Sequence, residues 1–149
     1  MEAEKRKIAG CVPFTIRDQE SKVLLITSRK VPGTLVFPKG GIDKKETEEE
    51  AAKRETWEEA GVHGTILQTL FDDSSSAEDS NSIEKKRRNL EGTWFLLRVE
   101  EICDDWPERH ERHRLWLTIE EALNQPHLRS ATRQLLELTE KVLNRAEDN

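Results

Sequence analysis

Thr47-x-x-Glu50 opens, and Gly61 closes, a stretch at residues 48–60 that contains neither glycine nor proline. A capping box at one end and a C-cap glycine at the other mark a helix with both termini fixed by local chemistry. The apolar runs around it are short and of a different kind. IAGCVPFTIR (8–17) and KVLLITSR (22–29) are rich in β-branched residues and joined by a polar turn, so they read as two strands. TLVF (34–37) is a third strand, framed by Pro32-Gly33 and Pro38, with Gly40-Gly41 as a further break. GTILQTLF (64–71), TWFLLRVEEI (93–102) and HRLWLTI (113–119) add three more. A second capping box, Thr118-x-x-Glu121, starts a short helix, and Leu128, Leu135, Leu138 and Val142 give residues 128–146 helical spacing. The interleaving predicts an α+β fold, a mixed β-sheet packed between helices in an α/β/α sandwich.

At 149 residues the chain suits one domain with a real core, so 1–149 is expected to be a single unit. Residues 72–92 are polar and serine-rich, and we expect a mobile insertion loop there. No apolar run approaches the ~18–20 residues that span a bilayer, and no membrane partner is expected. The charged first ten residues have no long apolar stretch behind them, which argues against a secretory signal. Two cysteines, Cys11 and Cys103, are too few for a disulfide scaffold and read as reduced, buried thiols of an intracellular protein. The expected location is cytoplasmic, and also nuclear if the basic run Lys85–Arg88 is a localisation signal. A net charge of −6 argues against general nucleic-acid binding. No oligomer is predicted.

The helix itself is the most informative segment. Seven glutamates fall between residues 46 and 59. Glu48, Glu49 and Glu50 stand in the first turn, where negative charge suits the helix dipole. Glu55, Glu58 and Glu59 are different. At about 100° per residue, positions i, i+3 and i+4 share one face, and like charges there cost roughly 0.2–0.5 kcal/mol each. Only Lys53 and Arg54 lie near to offset them. Such a cluster suits a hard divalent cation, Mg²⁺ or Mn²⁺, better than zinc. Ala52, Thr56 and Ala60 make a neighbouring face of small side chains, fit to lie against a sheet.

Gly40, five residues, Glu46, seven residues, Arg54-Glu55-Thr56, one residue, Glu58-Glu59, one residue, Gly61-Val62: this pattern resembles the Nudix box. Thr56 departs from it, standing where the family usually has an aliphatic residue, and should bring a minor packing change. The resemblance implies the Nudix fold and Mg²⁺-dependent hydrolysis of a diphosphate linked to a further group. It makes Glu55 and Glu59 the main metal ligands, with a backbone carbonyl from the Lys39–Gly41 loop at Gly40. Glu58 becomes the general base or a further ligand, and Arg54 and Glu46 brace the loop to the helix.

The wording TSRKVPGTLVFPKGG, RETWEEAGV and DW…RHRLWL resembles one branch, the diphosphoinositol polyphosphate phosphohydrolases of fungal or small-eukaryote type, over roughly residues 5–140. That branch also cleaves diadenosine polyphosphates. The expected partner is therefore a highly anionic small-molecule phosphate, with inorganic polyphosphate as a further substrate. Its phosphate ligands would be Lys5, Lys7, Ser28, Arg29, Lys39, Gly40, Gly41, Arg88, Arg112 and Arg114, all in or beside basic clusters or the box loop. Capped RNA, a nucleoside diphosphate sugar and a silent polyphosphate-binding module are the rival readings. Among the aromatics, Trp106 is the residue expected to be freest to stack on a base; Trp94, Phe95 and Trp116 read as core.

Overall fold

The structure, a computed structural model, describes residues 7–73 and 90–147. Seven strands lie among these residues: β1 (Ile8–Arg17), β2 (Glu20–Thr27), β3 (Leu35–Val36), β4 (Lys39–Gly41), β5 (Val62–Asp72), β6 (Thr93–Ile102) and β7 (Arg114–Thr118). The helices are α1 (Glu48–Ala60), α2 (Ile119–Leu123) and α3 (Ser130–Glu147). The main path of the sheet runs β3-β2-β1-β6-β5, with β4 on β1 and β7 on β2. β1 and β6 are parallel and every other pairing is antiparallel, so the sheet is mixed as expected.

β1 meets β2 only over Phe14–Arg17, and its first half pairs with β4 through Ile8, Ala9 and Gly10. β2, in turn, pairs with β3 through Ile26 and Thr27. Segment 35–41 thus fills the fork where β1 and β2 diverge. Gly40-Gly41, read from sequence as a break, is instead part of a short strand. The difference has a physical reason. Glycine carries little strand propensity, so only pairing with β1 creates β4.

Side chains alternate across the sheet with period two, and both faces are covered. Ala9, Cys11, Leu24, Ile26, Phe95 and Leu97 face α1, whose Ala51, Ala52 and Ala60 pack against them with no exposure. Val12, Phe14, Val23, Leu25, Trp94 and Leu96 face the other way, onto Ile119, Ala122, Leu135 and Leu136 of α2 and α3. Burying each large side chain of this kind contributes about 1.5–3 kcal/mol. The result is the expected sandwich of helix, sheet and helices. Thr56 is fully buried on the α1 face, where its hydroxyl donates to the Ala52 carbonyl at 2.7 Å and meets the Cys11 thiol. The polar atom at this aliphatic position is therefore satisfied.

Cys11 is buried as expected, but Cys103 is only half-buried, at the end of β6. No helix among the described residues is long and apolar enough to cross a membrane. Lys5, Arg88 and most of the segment 72–92 lie outside the described residues.

Candidate active site

Both ends of α1 are fixed. At the start, Thr47 Oγ1 accepts from Glu50 N (3.1 Å) and Glu50 Oε1 accepts from Thr47 N (2.9 Å), completing the capping box. Such a cap is worth about 1 kcal/mol. At the end, Gly61 adopts the left-handed conformation (φ 68°) and its N–H donates to the Trp57 carbonyl.

The remaining carbonyls of the last turn have no basic residue on the helix to serve them. Segment 106–114 does so instead. Glu108 N donates to Glu58 O at 3.0 Å, and Trp106 Nε1 donates to Glu59 O at 3.2 Å. Arg114 donates to Ala60 O (3.1 Å), Gly61 O (3.3 Å) and Cys103 O (2.8 Å), while its guanidinium lies 4.0 Å over the Trp106 ring. Two expectations change here. Trp106 is not free to stack on a base, because its ring is taken by Arg114 and Gly61 and its N–H by the helix. Arg114, expected among the phosphate ligands, directs both Nη1 and Nη2 at backbone carbonyls and so serves the end of α1.

The other helix face carries the carboxylates. Arg54 reads them from the side. Its Nε and Nη2 bind Glu46 at 2.7 and 2.9 Å, Nη2 also reaches Gly41 O at 3.0 Å, and Nη1 donates to Glu55 (2.7 Å) and Glu58 (2.9 Å). This one guanidinium ties α1 to β4 and to the chain at Glu46, and it supplies a cation to Glu55 and to Glu58, its i+4 neighbour. Hydrogen bonds from Arg54 and from Asp43 N hold the Glu46 carboxyl down at about 2.

Glu55 lies near enough to Glu59 to push its carboxyl up, and Glu58 is turned toward Arg54. Gly40 lies directly against the Glu55 carboxylate, and a methyl group there would fall on all three of its terminal atoms. Glu59 is 6% exposed, and burial first, then Glu55, raises its carboxyl well above the usual range, against the pull of Arg112. A proton or a cation at Glu59 relieves the repulsion between neighbouring carboxylates. That donor set is all oxygen, which fits Mg²⁺ or Mn²⁺.

Around the pair stand further charges. Arg112 Nη2 is 3.6 Å from Glu59 Oε1, its Nε donates to Glu108 Oε1 at 2.9 Å, and its Nη1 donates to Thr27 O at 2.9 Å. Arg29 Nη1 contacts Glu111 (2.8 Å) and Glu108 (3.5 Å), so it joins the same network from the far side. Ser28 Oγ shapes the neighbouring turn, accepting from Lys30 N and Val31 N. Lys39 N approaches Glu59 Oε1 at 3.4 Å with its side chain exposed, and Lys7 is exposed beside β4, its carbonyl accepting from Ile42 N. Glu108 had no place in the sequence reading. Its i,i+4 spacing to Arg112 was the one local signal that could have found it.

The NUDIX domain family profile matches residues 5–139. Nudix hydrolase 16 of Arabidopsis thaliana is 40% identical over 131 residues, covering 79% of this chain and 71% of that protein. Diphosphoinositol polyphosphate phosphohydrolase 3-alpha of Mus musculus is 33% identical over 120 residues, covering 79% and 67%. A crystal structure of the C. elegans Ap4A hydrolase superposes with a TM-score of 0.61 at 25% identity, covering 93% of this chain and 98% of that one. The expectation of a cytoplasmic and nuclear location is overturned by the same comparisons, because Nudix hydrolases 12, 13, 16, 17 and 18 of Arabidopsis are all named as mitochondrial.

Proposed function

The chain belongs to the NUDIX family, and from that premise we propose that it hydrolyses diphosphate linkages in diphosphoinositol polyphosphates and, as further substrates, in diadenosine polyphosphates. The observation that carries this is Glu55 packed on Gly40 beside the buried Glu59, with Arg112 and Arg29 drawn in around them. Relatives named for these two substrate types lend support. So does the engagement of Trp106, since a site without a free aromatic at that point favours a compact polyanion over recognition led by a nucleobase.

Glu55, Glu59 and the backbone at Gly40 would hold Mg²⁺ or Mn²⁺. When bound, the ion supplies neutralisation of phosphate oxygens and a lowered pKa for water. The chain's own groups do the rest. Glu58 accepts the proton of the attacking water, whose oxygen bonds to phosphorus in line as the bridging P–O bond breaks. Arg54 holds Glu55 and Glu58 in place from one side. Arg29, Lys7 and Lys39 offer positive charge to the remaining phosphates, Arg112 holds Glu59 and Glu108 beside them, and the glycines of β4 let a phosphate come close to the backbone.

A substrate panel tests this. Phosphate release with Mg²⁺ is measured from a diphosphoinositol polyphosphate, a diadenosine polyphosphate, capped RNA and a nucleoside diphosphate sugar, for wild type beside Glu59→Gln. The expected result is turnover of the first two, with the variant slower by about 100-fold or more, as fits the loss of several kcal/mol of charge stabilisation. Dominant cleavage of capped RNA, binding without turnover, or a fully active Glu59→Gln would each overturn the reading.

A further inference from the structure

Just past the end of α1, three side chains of different chemistry meet on the outer surface. Among the described residues, His63, Glu101 and Cys103 form a group whose ligand atoms all lie within 4.8 Å of one another. The arrangement follows from the sheet. His63 of β5 stands directly opposite Glu101 of β6, and Cys103 follows two residues later, its N–H donating to Gly61 O at 2.9 Å. Cys103 Sγ and Glu101 Oε1 are already 3.3 Å apart.

Neighbours hold the donors in place. The His63 ring stacks on Trp57, with centroids 4.7 Å apart and planes 17° from parallel. Arg114, which caps α1, also donates to the Cys103 carbonyl. The backbone of Cys103 is therefore tied on both sides, and the imidazole is held by a flat partner.

We propose that these three residues bind a borderline transition-metal ion, with Zn²⁺ the natural occupant, at a site separate from the carboxylate pair. An imidazole, a carboxylate and a thiolate make a nitrogen–oxygen–sulfur set. Such a set discriminates against Mg²⁺ and favours zinc or cobalt, with three protein ligands and a position left for water. Binding displaces the thiol proton of Cys103 to solvent. The residues are exposed or half-buried, so an ion reaches them without opening the fold. Occupancy would clamp β5 to β6 where the chain leaves the glutamate helix.

Titration of the metal-free protein with Co²⁺ alone tests the site, followed by Zn²⁺ competition and thermal unfolding with and without Zn²⁺. One equivalent of Co²⁺ should give a thiolate-to-cobalt charge-transfer band that Zn²⁺ removes, and Zn²⁺ should raise the unfolding midpoint. Cys103→Ser should abolish the band, and His63→Ala should weaken binding by about tenfold or more. Glu59→Gln and Cys11→Ser should keep the band. No band in the wild type, a band surviving Cys103→Ser, or a band lost in Glu59→Gln would overturn the proposal.

Discussion

Arg112 Nη2 stands 3.6 Å from Glu59 Oε1, an ion pair whose two side chains are only 10% and 8% exposed. It joins the connection after β6 to the last turn of α1, and it puts a fixed positive charge beside the most buried glutamate of the helix. Arg112 was expected to bind phosphate, and its donors to Glu108 and Thr27 O show that it also holds the site together.

Arg112→Ala should therefore destabilise the protein as well as slow it. Removing the guanidinium leaves Glu108 with Arg29 alone at 3.5 Å and Glu59 with only the Lys39 N–H at 3.4 Å, at a cost of about 2–3 kcal/mol. Urea unfolding of metal-free protein measures this. A loss below about 1 kcal/mol, the level of an exposed pair, would show that the contact is loose in solution.

Gly40→Ala separates site geometry from stability. The new methyl group lands on the Glu55 carboxylate, which must leave its place beside the β4 backbone. Because that carboxylate is the end of a flexible side chain, we expect unfolding to change by less than about 1 kcal/mol while turnover falls at least about tenfold. Kinetics beside circular dichroism gives both numbers, and unchanged turnover would show that the place of Glu55 beside β4 is dispensable.

The Glu46–Arg54 pair should appear in acid. A carboxyl held at about 2 in the folded protein, against an ordinary 4.5, stabilises the fold above pH 4.5. That contribution is lost as the pH falls from 4.5 toward 2, because the unfolded chain then binds the proton first. Thermal unfolding of wild type should drop more steeply across this window than that of Glu46→Gln. Parallel curves would mean that the Glu46–Arg54 pair does not persist.

The two thiols should differ in reactivity. Burial pushes the Cys11 thiol up to about 12, so at neutral pH it stays protonated and shielded. Burial and the neighbouring Glu101 also raise the Cys103 thiol, but that residue is half-buried and accessible. A disulfide reagent should label Cys103 slowly in the native protein and Cys11 only after denaturation, as peptide mapping would show. Labelling of native Cys11 would contradict the packing against α1.

Local chemistry made much of this protein legible. Thr47, Glu50 and Gly61 defined the helix ends because caps are short-range, and short β-branched apolar runs between polar turns defined β1 and β2 because strand preference is carried by the residues themselves. The glutamate face followed from helix geometry, and Glu46, Arg54 and Gly40 followed from the spacing of the box. What lay beyond sequence was every contact between segments with no shared local pattern. β4 exists only because the Gly-Gly pair finds β1 in the fork. Trp106, Glu108, Arg112 and Arg114 carry no signal that they fold back over the end of α1, since any of them could equally be a solvated surface residue. The unsatisfied carbonyls of that helix end, and the need of Glu59 for a cation, are met by tertiary packing alone, and that packing divides the two arginines between holding the helix and facing the site.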